Sequence, residues 1–131
     1  MILGIVFIII IEMEKPIVQY YIINNDLHMG KGKIASQIAH AAQSITEILI
    51  RKAYESRTLS KEYLTYTKWK ENCKKIILKA PESELRKLMI RSDCISIIDS
   101  GGTQVPPQSL TCIGFYPSSE LGDLFKDYKL L

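Results

Sequence analysis

Short apolar runs rich in β-branched residues alternate along this chain with longer segments that follow the helical period of 3.6 residues. Four such runs predict strands, over residues 17–23, 75–80, 94–98 and 110–116. Between the strands, apolar spacing predicts a long helix from about Lys31 to Ala53, a helical or irregular stretch ending near Trp69, and a helix from Pro81 to about Arg91. This alternation predicts an α/β fold with right-handed crossovers.

The chain has the length of one domain. With 131 residues, 47% of them hydrophobic, it can build one core, and we expect a single domain over residues 15–131. Residues 1–14 form an apolar extension whose first eleven residues, MILGIVFIIII, are fewer than the ~20 that span a bilayer. Three interpretations stay open: an element packed on the domain, a membrane-proximal segment, or an upstream start with Met13 as the true first residue.

Charge is distributed unevenly along the chain. The net charge is +3, but residues 28–91 contain 14 Lys and Arg against 6 Asp and Glu, a balance of +8. A basic face of this kind suits a polyanionic ligand, although a solvated helix surface has the same composition.

The cysteines and histidines do not form a recognisable metal or disulfide pattern. Cys73, Cys94 and Cys112 are widely spaced and are predicted to be packing thiols of an intracellular protein, so we expect a cytoplasmic location. His28 and His40 have no cysteine or carboxylate at ligand spacing. The predicted chemistry therefore uses no metal and no cofactor.

The long helix opens with two glycines and two lysines, Gly30 to Lys33, directly after a strand and its loop. Free amides at a helix start, with the helix dipole and two ammonium groups, predict a phosphate or oxyanion site. GKGKIA also matches the dinucleotide pattern G-x-G-x-x-A, but the next strand begins about forty residues later, which weakens that alternative.

Two polar groupings could line a site. Four polar side chains share one stripe of the long helix: Lys33, Gln37, His40 and Ser44. The second grouping is DSGGTQ, residues 99–104, which follows a strand and could hold a water molecule. A solvated helix face and a tight turn with capping side chains explain the same patterns. Both groupings lie at predicted carboxyl ends of strands, where ligands of α/β sheets bind.

Taken together, DLHMGKGKIASQIAHAA and DSGGTQVPPQSLTCIGFYP resemble the two signature blocks of the type 2 peptidyl-tRNA hydrolases, in the same order. The resemblance extends from about Lys15 to the last residue. It implies a three-layer α/β sandwich with a mixed four-stranded sheet flanked by helices. It also implies hydrolysis of the ester bond between peptide and tRNA, without a metal or an organic cofactor.

The resemblance also implies site residues. Positions proposed for catalysis in the family fall on Lys33, Asp99, Thr103 and Thr111. Further motif positions, which we expect around the substrate, are Gln37, His40 and Gln104. The basic surface of Lys31, Arg51 and Lys52 would bind phosphates. The chain departs from the usual pattern at Gly102, where the family has Arg or Lys, at Ser100 and Gln108, and in a shorter segment from Pro81 to Ile98.

The predicted mechanism is direct attack of water, because neither a G-x-S-x-G elbow nor an activated cysteine is visible. Asp99, with Thr103 and Thr111, would hold the water, while Lys33 would stabilise the oxyanion. The main alternative is a non-catalytic module on the same fold that binds RNA or a ubiquitin-like protein. Peptidyl-tRNA is the expected partner, a homodimer is left open, and no membrane span is expected.

Overall fold

The computed structural model describes residues 2–7 and 15–131. Residues 2–7 are helical and their large apolar side chains are exposed, with Leu3 at 85% and Phe7 at 64%. Residues 1 and 8–14, which include the alternative start at Met13, lie outside the described residues, so the assignment of 1–14 as an extension stays a prediction. Among the described helices, none is long and apolar enough to cross a membrane.

The domain contains three α-helices, which are α1 (Lys31–Ser56), α2 (Lys61–Trp69) and α3 (Glu82–Leu88). Its strands are β1 (Gln19–Asn24), β2 (Lys75–Ala80), β3 (Cys94–Asp99), β4 (Ser109–Phe115) and β5 (Lys129–Leu130). A three-residue 3-10 helix, Asn25–Leu27, follows β1. The predicted α/β fold is confirmed, with two small differences in helix length: α1 extends to Ser56, and α3 ends at Leu88 rather than near Arg91.

The sheet is mixed and has the order β3-β4-β1-β2-β5. Strands β1 and β2 are parallel, β4 is antiparallel to both β1 and β3, and β5 is antiparallel to β2. The sheet therefore has five strands where four were expected. The additional strand, β5, is two residues long and too short to show any alternation in the sequence.

Helices pack on both faces of the sheet. On one face, Tyr21, Ile23 and Cys112 pack against Ala41 of α1. On the other face, Ile22 and other apolar strand residues pack against α3. Because side chains alternate between the faces of a strand, consecutive residues such as those of β1 contribute to two separate core layers.

The topology brings three strand ends to one edge of the sheet. Strands β1 and β3 are both antiparallel to β4, and β2 is parallel to β1, so all three run in the same direction. Their last residues, Asn24, Ala80 and Asp99, consequently share an edge. Helix α1 begins at the same edge, which places its first turn beside the loop that follows β3.

Candidate active site

The centre of the site is a contact between Lys33, in the first turn of α1, and two side chains at the end of β3. The Lys33 Nζ atom lies 2.9 Å from Asp99 Oδ1 and 3.3 Å from Thr103 Oγ1. The partners are 66 and 70 residues from Lys33 in the sequence. The side chains of Lys33 and Asp99 are 10% and 13% exposed, so the ion pair is largely protected but still reachable.

A glycine turn fixes the Asp99 carboxylate. The Gly101 amide donates a hydrogen bond to Asp99 Oδ2 at 2.8 Å, and the Gln108 amide donates to the Asp99 carbonyl at 2.8 Å. Gly101 has φ +86°, and a Cβ atom there would lie 2.4 Å from the Pro107 nitrogen. Only glycine fits this position, because both the backbone angle and the available space exclude a side chain.

A second contact joins the same two segments. The Gly30 amide, at the start of α1, donates a hydrogen bond of 2.7 Å to Gln104 Oε1. Gln104 itself has φ +64°, in the left-handed region. Through its bond to the Gly30 amide, the side-chain oxygen of Gln104 caps the start of α1 and holds the 99–104 loop against this helix. The Gln104 side chain is exposed.

Behind Asp99 lies a buried polar chain. Thr111, in β4, is fully buried, and its Oγ1 lies 2.6 Å from Gln37 Oε1 and 3.1 Å from the Ile97 carbonyl. Gln37 is also buried, and its Nε2 lies 3.5 Å from Asp99 Oδ1. Thr111 thus reaches the site through Gln37. Sequence reasoning placed Thr111 at the reacting atoms, and nothing in the sequence signalled its burial.

The electrostatics keep Asp99 ionised. The hydrogen bond from Lys33 lowers the pKa of the Asp99 carboxyl below its usual range, and the Gly101 amide lowers it further, against an opposing contribution from burial. The carboxylate is then an acceptor at neutral pH. Lys33 has three N–H donors, of which Asp99 and Thr103 use two. The third can face a carbonyl oxygen that gains negative charge.

The remaining predicted site residues are dispersed along α1. Lys31 is exposed in the first turn of α1, and His40 is exposed in the third turn. Arg51 and Lys52 are exposed near the other end of the helix, about 27 Å from Lys33 at 1.5 Å per residue. Lys52 Nζ lies 5.8 Å from the ring centroid of Tyr116. Arg51 and Lys52 are therefore too far along α1 to share one pocket with Lys33.

Sequence reasoning kept open that Asp99 caps backbone amides in a tight turn, without identifying the Gly101 amide as the partner. The Gly-Gly pair after a strand-terminal aspartate was the available signal, since such a turn presents amides to the preceding carboxylate. It also missed the pairing of Gln37 with Thr111, which depends on how α1 packs on β4. Within residues 2–7 and 15–131, no group of three or more His, Cys, Asp and Glu side chains is arranged to hold a metal ion.

The fold and this site define a small α/β protein with a lysine–aspartate–threonine centre suited to ester hydrolysis by water. Residues 17–131 match the family described as Peptidyl-tRNA hydrolase PTH2. The chain therefore belongs to this family of peptidyl-tRNA hydrolases.

Curated relatives agree with this assignment. A peptidyl-tRNA hydrolase of Thermoplasma volcanium is 39% identical over 117 residues, which are 83% of this chain and 93% of the relative. One of Sulfurisphaera tokodaii is 40% identical over 119 residues, covering 84% and 94%. One of Methanococcus maripaludis is 38% identical over 122 residues, covering 86% and 97%. The predicted family and enzyme class are confirmed, and the non-catalytic alternative is not favoured.

Proposed function

We propose that the centre formed by Lys33, Asp99 and Thr103 is where this chain hydrolyses the ester bond between peptide and tRNA, which returns the tRNA to translation. The observation that carries the proposal is the position of Lys33 Nζ, within hydrogen-bond distance of both Asp99 and Thr103. A cation, an ionised carboxylate and a hydroxyl at one point supply the groups that addition of water to a carbonyl requires.

Asp99 and Thr103 position the water. Asp99 Oδ1 accepts hydrogen bonds from Lys33 and Gln37, while Oδ2 accepts one from the Gly101 amide, so the carboxylate has a fixed orientation. Because its pKa is lowered, Asp99 is a weak base. The main contribution of Asp99 is therefore to orient the water molecule rather than to remove a proton from it. The water oxygen bonds to the ester carbon, the bond to the ribose oxygen breaks, and that oxygen takes up a proton from the water.

Lys33 stabilises the oxyanion. As the carbonyl oxygen becomes negative, the free N–H of the ammonium group can donate to it, and the positive end of the α1 dipole adds to the stabilisation. Neither contribution forms a covalent bond to the substrate. In the proposed reaction water is the nucleophile, so no acyl-enzyme forms.

Thr111 and Gln37 act as positioning residues. Thr111 holds the Oε1 side of the Gln37 amide, which turns Nε2 toward Asp99. The contact between Gln37 Nε2 and Asp99 Oδ1 limits the orientations of the Asp99 carboxylate from its buried side.

Exposed side chains on α1 and on the loop after β3 form the proposed tRNA contacts. Lys31 lies in the first turn of α1, two residues before Lys33, and Gln104 contacts the Gly30 amide at the start of the same helix. His40, Arg51 and Lys52 continue along α1 and are exposed, so they can reach the tRNA away from the ester.

The work of the enzyme on peptidyl-tRNA suggests a cytoplasmic location. A ubiquitin-like protein, which the family resemblance suggested, and a homodimer are retained as hypotheses about partners. Light scattering on the purified protein tests the homodimer: twice the monomer mass of 14.9 kDa supports it, and the monomer mass rejects it.

The activity is tested with an aminoacyl-tRNA whose amino group is blocked by acylation, which imitates peptidyl-tRNA. We expect release of free tRNA from this substrate, while free aminoacyl-tRNA resists cleavage. Binding of both tRNAs without release from either would instead support the non-catalytic module. The melting temperature measured with and without a dinucleotide tests the third alternative, and we expect no shift.

A further inference from the structure

Two lysines face each other across the outer strands of the sheet. Lys79 in β2 pairs directly with Lys129 in β5. Directly paired residues of antiparallel strands project to the same face, with Cβ atoms about 5 Å apart, and like charges in this position repel. None of the ion pairs within the described residues involves either lysine. The two lysines thus bring two positive charges together without an ion-pair partner among the described residues.

The pair projects from the face of the sheet that carries α1. Ile77, two residues before Lys79, packs in the core layer beneath α1, and residues two apart in a strand share a face. Helix α1 packs on β3 and β4, so it leaves the β2 and β5 side of this face open. Lys79 is accordingly half-buried and Lys129 exposed.

A cavity of about 470 Å³ borders both lysines, and its lining includes Ala80, Glu84 and Tyr128 from the α3 side of the sheet. Two acids, Glu84 and Asp127, also line it. Glu84 is already engaged, with Lys87 at 3.2 Å and the Tyr128 hydroxyl at 3.1 Å. Neither acid forms an ion pair with Lys79 or Lys129 within the part of the chain that the structure describes, and Glu84 belongs to α3 on the opposite face of the sheet.

The cavity opens at the same edge of the sheet as the active site. Lys79 directly precedes Ala80, the last residue of β2, whose carboxyl end shares the edge with Asp99. In the strand order, β2 lies three positions from β3 and β5 lies four positions from β3. At the usual spacing between neighbouring strands, the distances from β3 to β2 and to β5 are about 14 and 19 Å. At a rise of about 3.4 Å per stacked nucleotide, this span corresponds to about four to six nucleotides.

We propose that the Lys79–Lys129 pair binds a backbone phosphate of the tRNA, about four to six nucleotides from the ester. The proposal rests on the proposed function and adds a further substrate contact to it. A phosphate between the two ammonium groups removes their mutual repulsion, so the sheet is stabilised when RNA binds.

The test compares two double variants with equal loss of charge. Lys79→Gln/Lys129→Gln removes the pair, and Lys70→Gln/Lys74→Gln removes two exposed lysines next to the opposite end of β2. For deacylated tRNA, we expect the first variant to bind about tenfold more weakly, and the slope of log affinity against log salt to fall by about 1. The second variant should bind as the unmodified protein does.

A separate readout concerns stability without RNA. Lys129→Gln alone should raise the melting temperature, because it removes the repulsion, while it weakens tRNA binding. Equal affinity and equal salt slope in the two double variants would overturn the proposal. Failure of the proposed function looks different, since the unmodified protein would then release no peptide at all.

Discussion

The proposed reaction depends most directly on the ionised form of Asp99. Lys33 and the Gly101 amide lower its pKa, so the active carboxylate persists well below neutral pH. Because the pKa is lowered on folding, the ionised form also contributes stability above the unfolded value of about 3.9, and this contribution is lost as the pH falls through the folded pKa.

The pH dependence of turnover follows from that shift. We expect kcat/KM on N-blocked aminoacyl-tRNA to show no acid limb between pH 7 and pH 5, since Asp99 stays ionised across this range. Initial rates in buffers of constant ionic strength provide the measurement. A limb with a midpoint near pH 6 would mean that the essential group is not a carboxylate held by Lys33.

Thr111 offers a prediction at the same scale. Thr111→Val keeps the shape but leaves the Gln37 Oε1 without its closest partner, so we expect the free energy of unfolding to fall by about 1–3 kcal/mol and turnover to decrease. Thr111→Ser keeps the hydroxyl and should retain most of the activity. Urea unfolding and steady-state rates measure the two effects. Full activity of the valine variant would exclude a positioning role.

At the scale of elements, the loop between β3 and β4 sets the position of Asp99. Gly101→Ala introduces a Cβ 2.4 Å from the Pro107 nitrogen at a positive φ, so the turn must rearrange and the Asp99 carboxylate loses its amide partner. We expect turnover to drop by about 10²-fold, as small displacements of positioned groups do. Gly102→Ala is the matched control, because a Cβ there has no atom within 4 Å. Equal rates for the two variants would contradict this account of the loop.

Elements with a strong periodic signal were predictable, and those that depend on tertiary contacts were not. The run KIILKA predicted β2 with its observed bounds, whereas β5 exists only because Lys129 and Leu130 pair with β2. Helix α1 ends at Ser56, and the residue that follows, Arg57, adopts φ +55°. A glycine usually occupies this position, so the sequence did not mark the end of the helix. For the site, parallel strand ends and the family resemblance predicted that Lys33 and Asp99 converge. Burial of Thr111 against α1 could not be predicted, because it depends on packing between α1 and β4.

For the whole molecule, residues 15–131 contain both core layers and the active site, and the family match begins at residue 17. We therefore expect a chain that starts at Met13 to keep its melting temperature within a few degrees and its turnover within about twofold. The full chain, with exposed Leu3 and Phe7, should aggregate more readily. Differential scanning fluorimetry and the release assay provide the comparison. Loss of folding in the shorter chain would show that the extension is part of the domain.

The proposed mechanism requires that Lys33 and Asp99, which are 66 residues apart in the sequence, act as one catalytic unit. A double-mutant cycle with Lys33→Ala, Asp99→Asn and the combined variant, measured as single-turnover release from N-blocked aminoacyl-tRNA, tests this most directly. We predict that each single change slows release by about 10²-fold or more, and that the combined variant is hardly slower than the worse of the two. Losses that multiply, or rates near that of the unmodified protein, would contradict a shared centre.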